Sequence, residues 1–207
     1  STIDDMFYFI FIVSYLLGSI NFAIILAKYR GIDIKNEGSG NPGSSNALRV
    51  LGKKYAFGVL IGDMLKGALC VFLGLQYIDS VNPIVFGLAS VIGHCFPLYY
   101  RFKGGKGVAT FLGTYLGYLV LVPSESYSTN FKILIFVTLL GTFVLIAKVF
   151  RVSAIASLVT VIISSYFIIS EKSDQLVNIM TLLIILIIIF QHRANLRRLI
   201  EGRENKF

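Results

Sequence analysis

The chain has 207 residues, of which 56% are hydrophobic and 14% are charged, and its mean hydropathy is +0.77. Soluble domains contain about 25% charged residues, so this composition excludes a water-soluble globular protein. The formal net charge is +8 at pH 7, which topology and attraction to anionic lipid headgroups explain in large part. We predict one polytopic membrane domain over residues 1–207, because the apolar segments leave no room for a separate soluble domain.

Seven apolar runs are candidates for membrane-spanning helices. A spanning helix needs roughly 20 apolar residues, and the third and fourth runs are near the short limit and contain several glycines. The first run is not typical of a signal peptide, because the acidic residues Asp4 and Asp5 precede it. We predict an all-α integral membrane protein with seven transmembrane helices. The runs cover residues 6–27, 55–77, 83–100, 107–122, 131–147, 152–170 and 175–192.

Lysine and arginine residues are concentrated in alternate connections between these runs. Sixteen of them lie after the first, third, fifth and seventh runs, whereas only Lys132 and Lys172 lie on the other side and Lys66 falls within the second run. Cytoplasmic loops carry an excess of Lys and Arg, so the first set marks the cytoplasmic side. We therefore expect the N-terminus outside and the C-terminus in the cytoplasm. The opposite side carries acidic residues, among them Asp79, Glu125 and Glu171.

The connection between the first two runs contains a glycine- and hydroxyl-rich stretch, residues 38–46. Glycine lets backbone N–H groups converge, and the hydroxyls, the amides and the arginine that follows are donors suited to phosphate. The glycines fit the pattern Gly-x-Gly-x-x-Gly, but a membrane helix precedes them in place of a strand, so we reject a nucleotide cofactor. The alternative is a flexible connector with helix caps. The candidate substrate-binding residues are Ser39, Gly40, Asn41, Gly43, Ser45, Asn46 and Arg49.

A second constellation runs from Gly93 to Thr110, across the end of the third run. Pro97 should end that helix, the following glycines allow a sharp turn, and Lys106 then lies at the positive end of the fourth helix. Gly107 stands where a nucleotide P-loop has Ser or Thr, so we exclude that motif. A lone histidine among apolar residues is often only a hydrogen-bonded packing residue. The candidate substrate-binding residues here are His94, Lys103, Gly104 and Gly105.

Polar residues also occur inside the apolar runs. Asp63 and Lys66 are three residues apart in the second run, and a mutual ion pair is a simpler explanation than a functional role. Cys70 and Cys95 fall inside predicted helices without metal-ligand spacing. We expect both cysteines to be buried free thiols that pack as small hydrophobic groups.

Two further pairs of polar residues lie at run ends. Ser153 and Ser157 follow Arg151 and are one helical turn apart, although such serines often only tighten helix packing. His192 and Asn195 are three residues apart at the end of the last run, on one helical face. Both pairs lie on the predicted cytoplasmic side with the two glycine-rich stretches. We therefore expect four segments that are distant in sequence to meet at one cytoplasmic mouth, with the active-site loops on that side.

Together these motifs closely resemble the bacterial acyl-phosphate-dependent glycerol-3-phosphate acyltransferase family, usually called PlsY. Residues 38–46 match its Gly-Ser-Gly-Asn-x-Gly block, residues 63–67 match Asp-x-x-Lys-Gly, and residues 102–110 match the long Phe-Lys-Gly-Gly-Lys-Gly-Val-Ala-Thr block. The closing His-Arg-x-Asn pattern begins at His192. The similarity spans nearly the whole chain, and departures such as Ala154 in place of a common serine are small.

The resemblance implies transfer of a fatty acyl group from acyl-phosphate to glycerol-3-phosphate, which gives lysophosphatidic acid and inorganic phosphate. This reaction is the first acylation step of bacterial phospholipid synthesis. The resemblance also implies a multi-pass protein of the bacterial cytoplasmic (inner) membrane, in contact with membrane lipid. We expect no cofactor, no metal and no nucleic-acid partner, and we expect a monomer.

Our mechanistic hypothesis for this reaction assigns roles to the candidate residues. The first glycine-rich stretch would hold the acyl-phosphate or its developing oxyanion, and Arg49 would help to hold glycerol-3-phosphate. The His-x-x-x-x-Asp pair of other glycerolipid acyltransferases is absent, so the base is either His192 or a phosphate oxygen of the substrate. A mixed anhydride has a good leaving group, so positioning and charge stabilisation are expected to dominate catalysis. The predicted catalytic residues are Lys106, Ser157, His192 and Asn195.

The second hypothesis is a transporter of a phosphorylated metabolite, in which broken helices coordinate the phosphate. Two features count against it. The chain shows no obvious internal repeat. Its polar motifs cluster at one face of the membrane, whereas transporters bind their substrates near the membrane midplane.

Overall fold

The structure, a computed structural model, describes residues 2–77, 81–123, 127–170 and 174–204, with side chains from residue 4 onward. Within these ranges all regular secondary structure is helical and there is no β-strand, which confirms the predicted all-α class. Five charged residues that enter the sequence-based charge count lie outside the described residues: Asp79, Glu125, Glu171, Lys172 and Lys206.

The helices follow the apolar runs but break at several of them. A short 3-10 helix also follows α5. The α-helices are α1 (Thr2–Ser19), α2 (Phe22–Tyr29), α3 (Ser44–Val50), α4 (Lys53–Tyr77), α5 (Ile84–Cys95), α6 (Val108–Leu121), α7 (Thr129–Phe150), α8 (Ser153–Ser170), α9 (Gln175–Gln191) and α10 (Arg193–Ile200), and the 3-10 helix is Leu98–Tyr100.

Four segments are long and apolar enough to cross a membrane by themselves: α1 with α2, α4, α7 and α8. The pair α9 and α10, which is bent by 53°, makes a possible fifth. The helices α5 and α6 have only 12 and 14 residues, fewer than the roughly 20 that a spanning helix needs. The described residues thus contain four or five candidate spans by length, and the seven-span arrangement stays a prediction.

The two short helices form the core of the molecule. Every residue of α5 except Ile92 is buried, and most of α6 is buried as well. Glycines allow close approach of the helices, because a Cβ on Gly18 or Gly93 would collide across the α1–α5 contact and a Cβ on Gly113 would collide with the Met64 backbone across the α4–α6 contact. Helices too short to span alone are therefore enclosed by the longer ones.

The outer surface of the bundle is strongly apolar. The helix α7 alone exposes a row of large hydrophobic side chains, including Phe131, Leu134, Val137 and Leu145. Soluble monomers do not present contiguous apolar surfaces of this extent to water. This surface is the lipid-facing side of a membrane protein.

Helix breaks supply polar atoms for the site. The break between α1 and α2 places Asn21 as the N-cap of α2, where its Oδ1 accepts from Ile24 N at 2.9 Å. Its Nδ2 donates to the Pro42 carbonyl at 3.1 Å, which ties this break to the first glycine-rich stretch. A second break separates α9 from α10 at His192.

Candidate active site

A cavity of about 330 Å³ lies where the polar segments meet. The α3 region, the start of α6, the start of α8 and the α9–α10 break all contribute residues to it, so the four segments expected to meet do converge. Part of the wall is apolar. The apolar wall residues are Leu60, Met64, Val108, Ala109, Leu112, Leu140, Phe143 and Val144.

The cavity gathers most of the residues predicted from the sequence. Eleven of them line it: Ser39, Asn41, Gly43, Ser45, Asn46, Arg49, His94, Lys106, Ser157, His192 and Asn195. The structure does not bring Gly40, Lys103, Gly104 or Gly105 to the cavity wall. Gly40 lies in a turn, with φ +70°, and Lys103 is exposed. Gly104 and Gly105 pack against the end of α5.

The first glycine-rich stretch is held together by Asn46, which is fully buried. Its Oδ1 accepts from Ser39 N at 2.8 Å, and its Nδ2 donates to the carbonyls of Ile34 and Glu37 at 3.2 and 3.0 Å. Asn46 therefore shapes the loop, because its amide group is occupied by the backbone.

The expectation that glycine lets backbone N–H groups of this stretch converge on an anion is wrong for three of them. Ser39 N donates to Asn46, Gly40 N donates to the Glu37 carbonyl at 2.9 Å, and Gly43 N donates to the Asn41 carbonyl at 3.0 Å. The internal turns use these donors first. The side chains of Ser39, Asn41, Ser45 and Arg49 line the cavity.

The second glycine-rich stretch folds back onto the end of α5. Gly105 N donates to the His94 carbonyl at 3.1 Å, and Gln191 Nε2 donates to the carbonyls of Cys95 and Gly105 at 2.9 and 3.1 Å. Sequence reasoning missed Gln191, although its place beside His192 was a signal. This clamp brings Lys106 to the cavity, where burial lowers its pKa to about 8.

His192 and Asn195 lie on either side of the start of α10. The His192 ring is buried, and its Nδ1 lies 2.8 Å from the Ile188 carbonyl. A carbonyl only accepts, so Nδ1 carries the proton and Nε2 of the neutral ring has a lone pair. Asn195 Nδ2 donates to Glu204 Oε1 at 2.5 Å, and Arg198 Nε donates to Glu204 Oε2 at 2.9 Å.

Glu204 is a cavity residue that sequence reasoning did not select. Its side chain is only 5% exposed, which is unusual for a carboxylate unless it is paired. An acidic residue within a strongly basic C-terminal segment was the available signal. By holding Asn195 and Arg198, Glu204 fixes the C-terminal segment against the cavity.

The predicted ion pair between Asp63 and Lys66 is present, with Lys66 Nζ 2.8 Å from Asp63 Oδ1. Lys66 Nζ also donates to the Ile20 carbonyl at 2.6 Å and lies 2.8 Å from His94 Nδ1. His94 is thus part of a buried cluster, and Asp63 reaches the cavity wall. The sequence did not show that these three residues meet, because they come from two different helices.

The two cysteines are free and buried, as expected. In the described ranges, no group of three or more His, Cys, Asp or Glu side chains is placed to hold a metal ion. The polar groups of the cavity wall are cations, hydroxyls, amides, two histidines and the carboxylates of Asp63 and Glu204.

Together the fold and the cavity define a helical membrane protein that can bind a ligand with both a phosphate and an apolar chain. The model of the family described as glycerol-3-phosphate acyltransferase matches residues 8–202. The chain is 39% identical over 198 residues to a glycerol-3-phosphate acyltransferase of Coxiella burnetii (strain CbuG_Q212), covering 94% of this chain and 95% of that protein. It is 40% identical over 202 residues to the Bacillus cytotoxicus protein of the same name, covering 96% and 94%.

Two solved structures of a glycerol 3-phosphate acyltransferase are also similar to this chain. The crystal structure of PlsY (YgiH), an integral membrane glycerol 3-phosphate acyltransferase, in its glycerol 3-phosphate form is similar with a TM-score of 0.83 and 37% identity. The lysophosphatidic acid form has a TM-score of 0.80 and 36% identity, and each comparison covers 97% of this chain and 94% of the other. The chain belongs to the glycerol-3-phosphate acyltransferase family, the PlsY family.

Proposed function

We propose that the protein transfers a fatty acyl group from acyl-phosphate to glycerol-3-phosphate and releases lysophosphatidic acid and inorganic phosphate. The observation that carries this proposal is the composition of the cavity. Cations, hydroxyls and amides form one part of its wall, and aliphatic and aromatic side chains form another. A substrate pair with two phosphates and one long acyl chain needs both. The relatives named for this activity support acyl transfer, and none of those described above supports transport.

Glycerol-3-phosphate is held by the cationic part of the wall. Arg49 offers a guanidinium that can bind phosphate bidentately, and Lys106 offers an ammonium beside it. The hydroxyl of Ser157, at the buried start of α8, and the amide of Asn195 complete this group. Ser39, Asn41 and Ser45 of the first glycine-rich stretch hold the phosphate of the donor. Asn46 and Gly40 keep that stretch in shape.

The reaction needs one proton transfer. The glycerol hydroxyl oxygen forms a bond to the acyl carbonyl carbon, the bond between that carbon and the phosphate oxygen breaks, and the hydroxyl proton leaves. His192 Nε2 has a lone pair that can accept this proton, and a phosphate oxygen of the donor has another. Phosphate is a good leaving group, so alignment of the substrates and stabilisation of the developing oxyanion account for most of the rate enhancement.

The membrane arrangement that fits this function has seven spans, with the N-terminus outside, the C-terminus and the cavity mouth in the cytoplasm, and a monomer in the bacterial inner membrane. The uneven distribution of Lys and Arg supports it. The short helix α10 carries Arg193, Arg197 and Arg198 and exposes Ile200. Such a helix suits a membrane surface with anionic lipid.

The donor is tested with purified protein in lipid nanodiscs. Acyl-phosphate, acyl-CoA and acyl-carrier protein with the same acyl chain are each offered with radiolabelled glycerol-3-phosphate. We expect lysophosphatidic acid only from acyl-phosphate, and its loss in a variant in which Arg49→Gln and Lys106→Gln are combined. Preference for a thioester donor would contradict the proposed donor. No acylation, together with uptake of glycerol-3-phosphate into liposomes, would favour transport.

A further inference from the structure

The Lys66 ammonium lies within 2.8 Å of three acceptor atoms, one of them in an ion pair. These are Asp63 Oδ1 at 2.8 Å, the Ile20 carbonyl at 2.6 Å and His94 Nδ1 at 2.8 Å. His94 Nδ1 lies 2.8 Å from Lys66 Nζ and 3.5 Å from Asp63 Oδ1. The closer partner is an ammonium, which has no lone pair, so His94 Nδ1 accepts and carries no proton. The neutral ring then has its proton on Nε2. The three side chains are at most 5% exposed, so water does not compete for these bonds.

The Nε2 edge of His94 faces the seam between the two glycine-rich stretches. A Cβ added to Gly105 would collide with His94 Nε2 and would lie 3.1 Å from the Pro42 carbonyl. Between the described residues, no hydrogen bond uses His94 Nε2. His94 lines the cavity, so a ligand bound there can accept a hydrogen bond from this N–H group.

His192 presents the opposite chemistry to the same cavity. Its Nδ1 donates to the Ile188 carbonyl, so its Nε2 accepts. One histidine is therefore held as a donor and the other as an acceptor, each by the partner on its Nδ1.

We propose that Lys66 and Asp63 are positioning residues that hold His94 as a hydrogen-bond donor to a phosphoryl oxygen bound between the two glycine-rich stretches. The identity of that group as the donor's phosphate rests on the proposed function, whereas the tautomer does not. A buried ion pair is weak evidence for a contribution to stability, since a well-packed apolar pair is often as stable. Control of the His94 tautomer gives this pair a role that an apolar pair lacks.

The tautomer is measured directly by solid-state NMR of protein labelled with ¹⁵N-histidine in lipid bilayers. The chain has two histidines, and a His94→Gln variant assigns their signals. The purification tag must contain no histidine. We expect the Nε2–H tautomer for His94 and the Nδ1–H tautomer for His192, which serves as the internal control. A proton on His94 Nδ1 in the unaltered protein would overturn the proposal.

Kinetics test the role of the donor group. A glutamine at position 94 places an amide N–H near the position of Nε2, whereas an asparagine places it near Nδ1. We expect His94→Gln to keep kcat/KM for acyl-phosphate within about tenfold of the unaltered enzyme, and His94→Asn to lose about 100-fold, the scale of a hydrogen bond to a charged group. Equal losses in the two variants would overturn the proposal.

A double-mutant cycle separates positioning from a merely structural role. Lys66→Met should lower kcat/KM strongly in the unaltered enzyme but much less in the His94→Gln background, since the glutamine amide donates without a tautomer for Lys66 to set. Equal losses in both backgrounds would show that Lys66 acts independently of His94. If Lys66→Met does not fold, the NMR measurement and the two position-94 variants decide the question. If neither the unaltered protein nor any variant uses acyl-phosphate, the proposed function fails, whereas the NMR measurement still decides the tautomer of His94.

Discussion

Lys106 shows how burial and function are linked at a single residue. Its side chain lies in the cavity with Arg49 and Glu204, and burial is the main cause that lowers its pKa from 10.5 to about 8. The Glu204 carboxylate opposes this shift, and the Arg198 and Arg49 cations add to it. Lys106 is therefore protonated below about pH 8 and loses its charge above it. A phosphate ligand needs the charged form.

We predict that KM for glycerol-3-phosphate rises above about pH 8, by up to about tenfold per pH unit, as the Lys106 charge is lost. Initial rates measured from pH 6.5 to 9.5 test this. A Lys106→Arg variant is the matched control, because arginine stays charged throughout and its KM should not follow the same rise. A parallel rise in both enzymes would show that another group titrates.

Asn46 shows what residue types alone cannot reveal. Its position in a donor-rich loop suggested contact with substrate, and it does line the cavity. Its oxygen and its amide nitrogen are nevertheless bonded to the backbone of its own loop. An amide serves either purpose equally well, so only the folded loop distinguishes a binding residue from a shaping residue.

At the scale of elements, the contact between α4 and α6 depends on small residues. Gly113 of α6 lies against the backbone of Met64, and Gly117 lies against Ala68. Helices in a membrane gain little from hydrophobic exclusion of each other, so close packing is their main source of association. This contact positions the start of α6, and with it Lys106.

We predict that Gly113→Ala lowers the free energy of unfolding by about 1–3 kcal/mol, because the added methyl group overlaps the Met64 backbone. Thermal unfolding in detergent or nanodiscs, followed by acyltransferase activity, measures the effect. Gly141→Ala on α7 is the control, since nothing lies within 4 Å of its added Cβ. Equal stability of the two variants would contradict the packing argument.

The ends of elements were harder to predict than their existence. The apolar runs located every long helix, because apolar side chains are unfavourable in water and so mark the segments that the membrane or the core must cover. They did not show that α1 and α2 break at Ile20–Asn21 or that α9 and α10 break at His192, whereas Pro97 did predict the end of the helix in the third run, at Cys95. These breaks depend on partners from elsewhere in the chain, such as Pro42 for Asn21 and Lys66 for the Ile20 carbonyl.

At the scale of the whole molecule, the distribution of charge predicts the orientation in the membrane. The connections that supply the cavity also carry most of the Lys and Arg residues, so a cytoplasmic cavity and the positive-inside rule agree. A cavity mouth on that side would also admit water-soluble glycerol-3-phosphate from the cytoplasm.

We predict that the two ends of the chain lie on opposite sides of the membrane. In spheroplasts, a membrane-impermeant maleimide should label Asp5→Cys at once and should label Arg203→Cys only after permeabilisation. Both positions are exposed, and the buried native Cys70 and Cys95 should stay unlabelled. Labelling of both substituted positions from outside would contradict an odd number of spans.

The sequence by itself determined the class of protein, the family and eleven of the residues that line the cavity, and it predicts the side of the charge excess. These follow from composition, local spacing and motifs, which do not need a fold to be recognised. The tertiary structure alone decided which donors are free and which are already used. Asn46 is bonded to its own loop, Glu204 joins the cavity, and Lys66 sets the protonated nitrogen of His94. Hydrogen-bond partners come from residues far apart in the chain, and only packing brings them together.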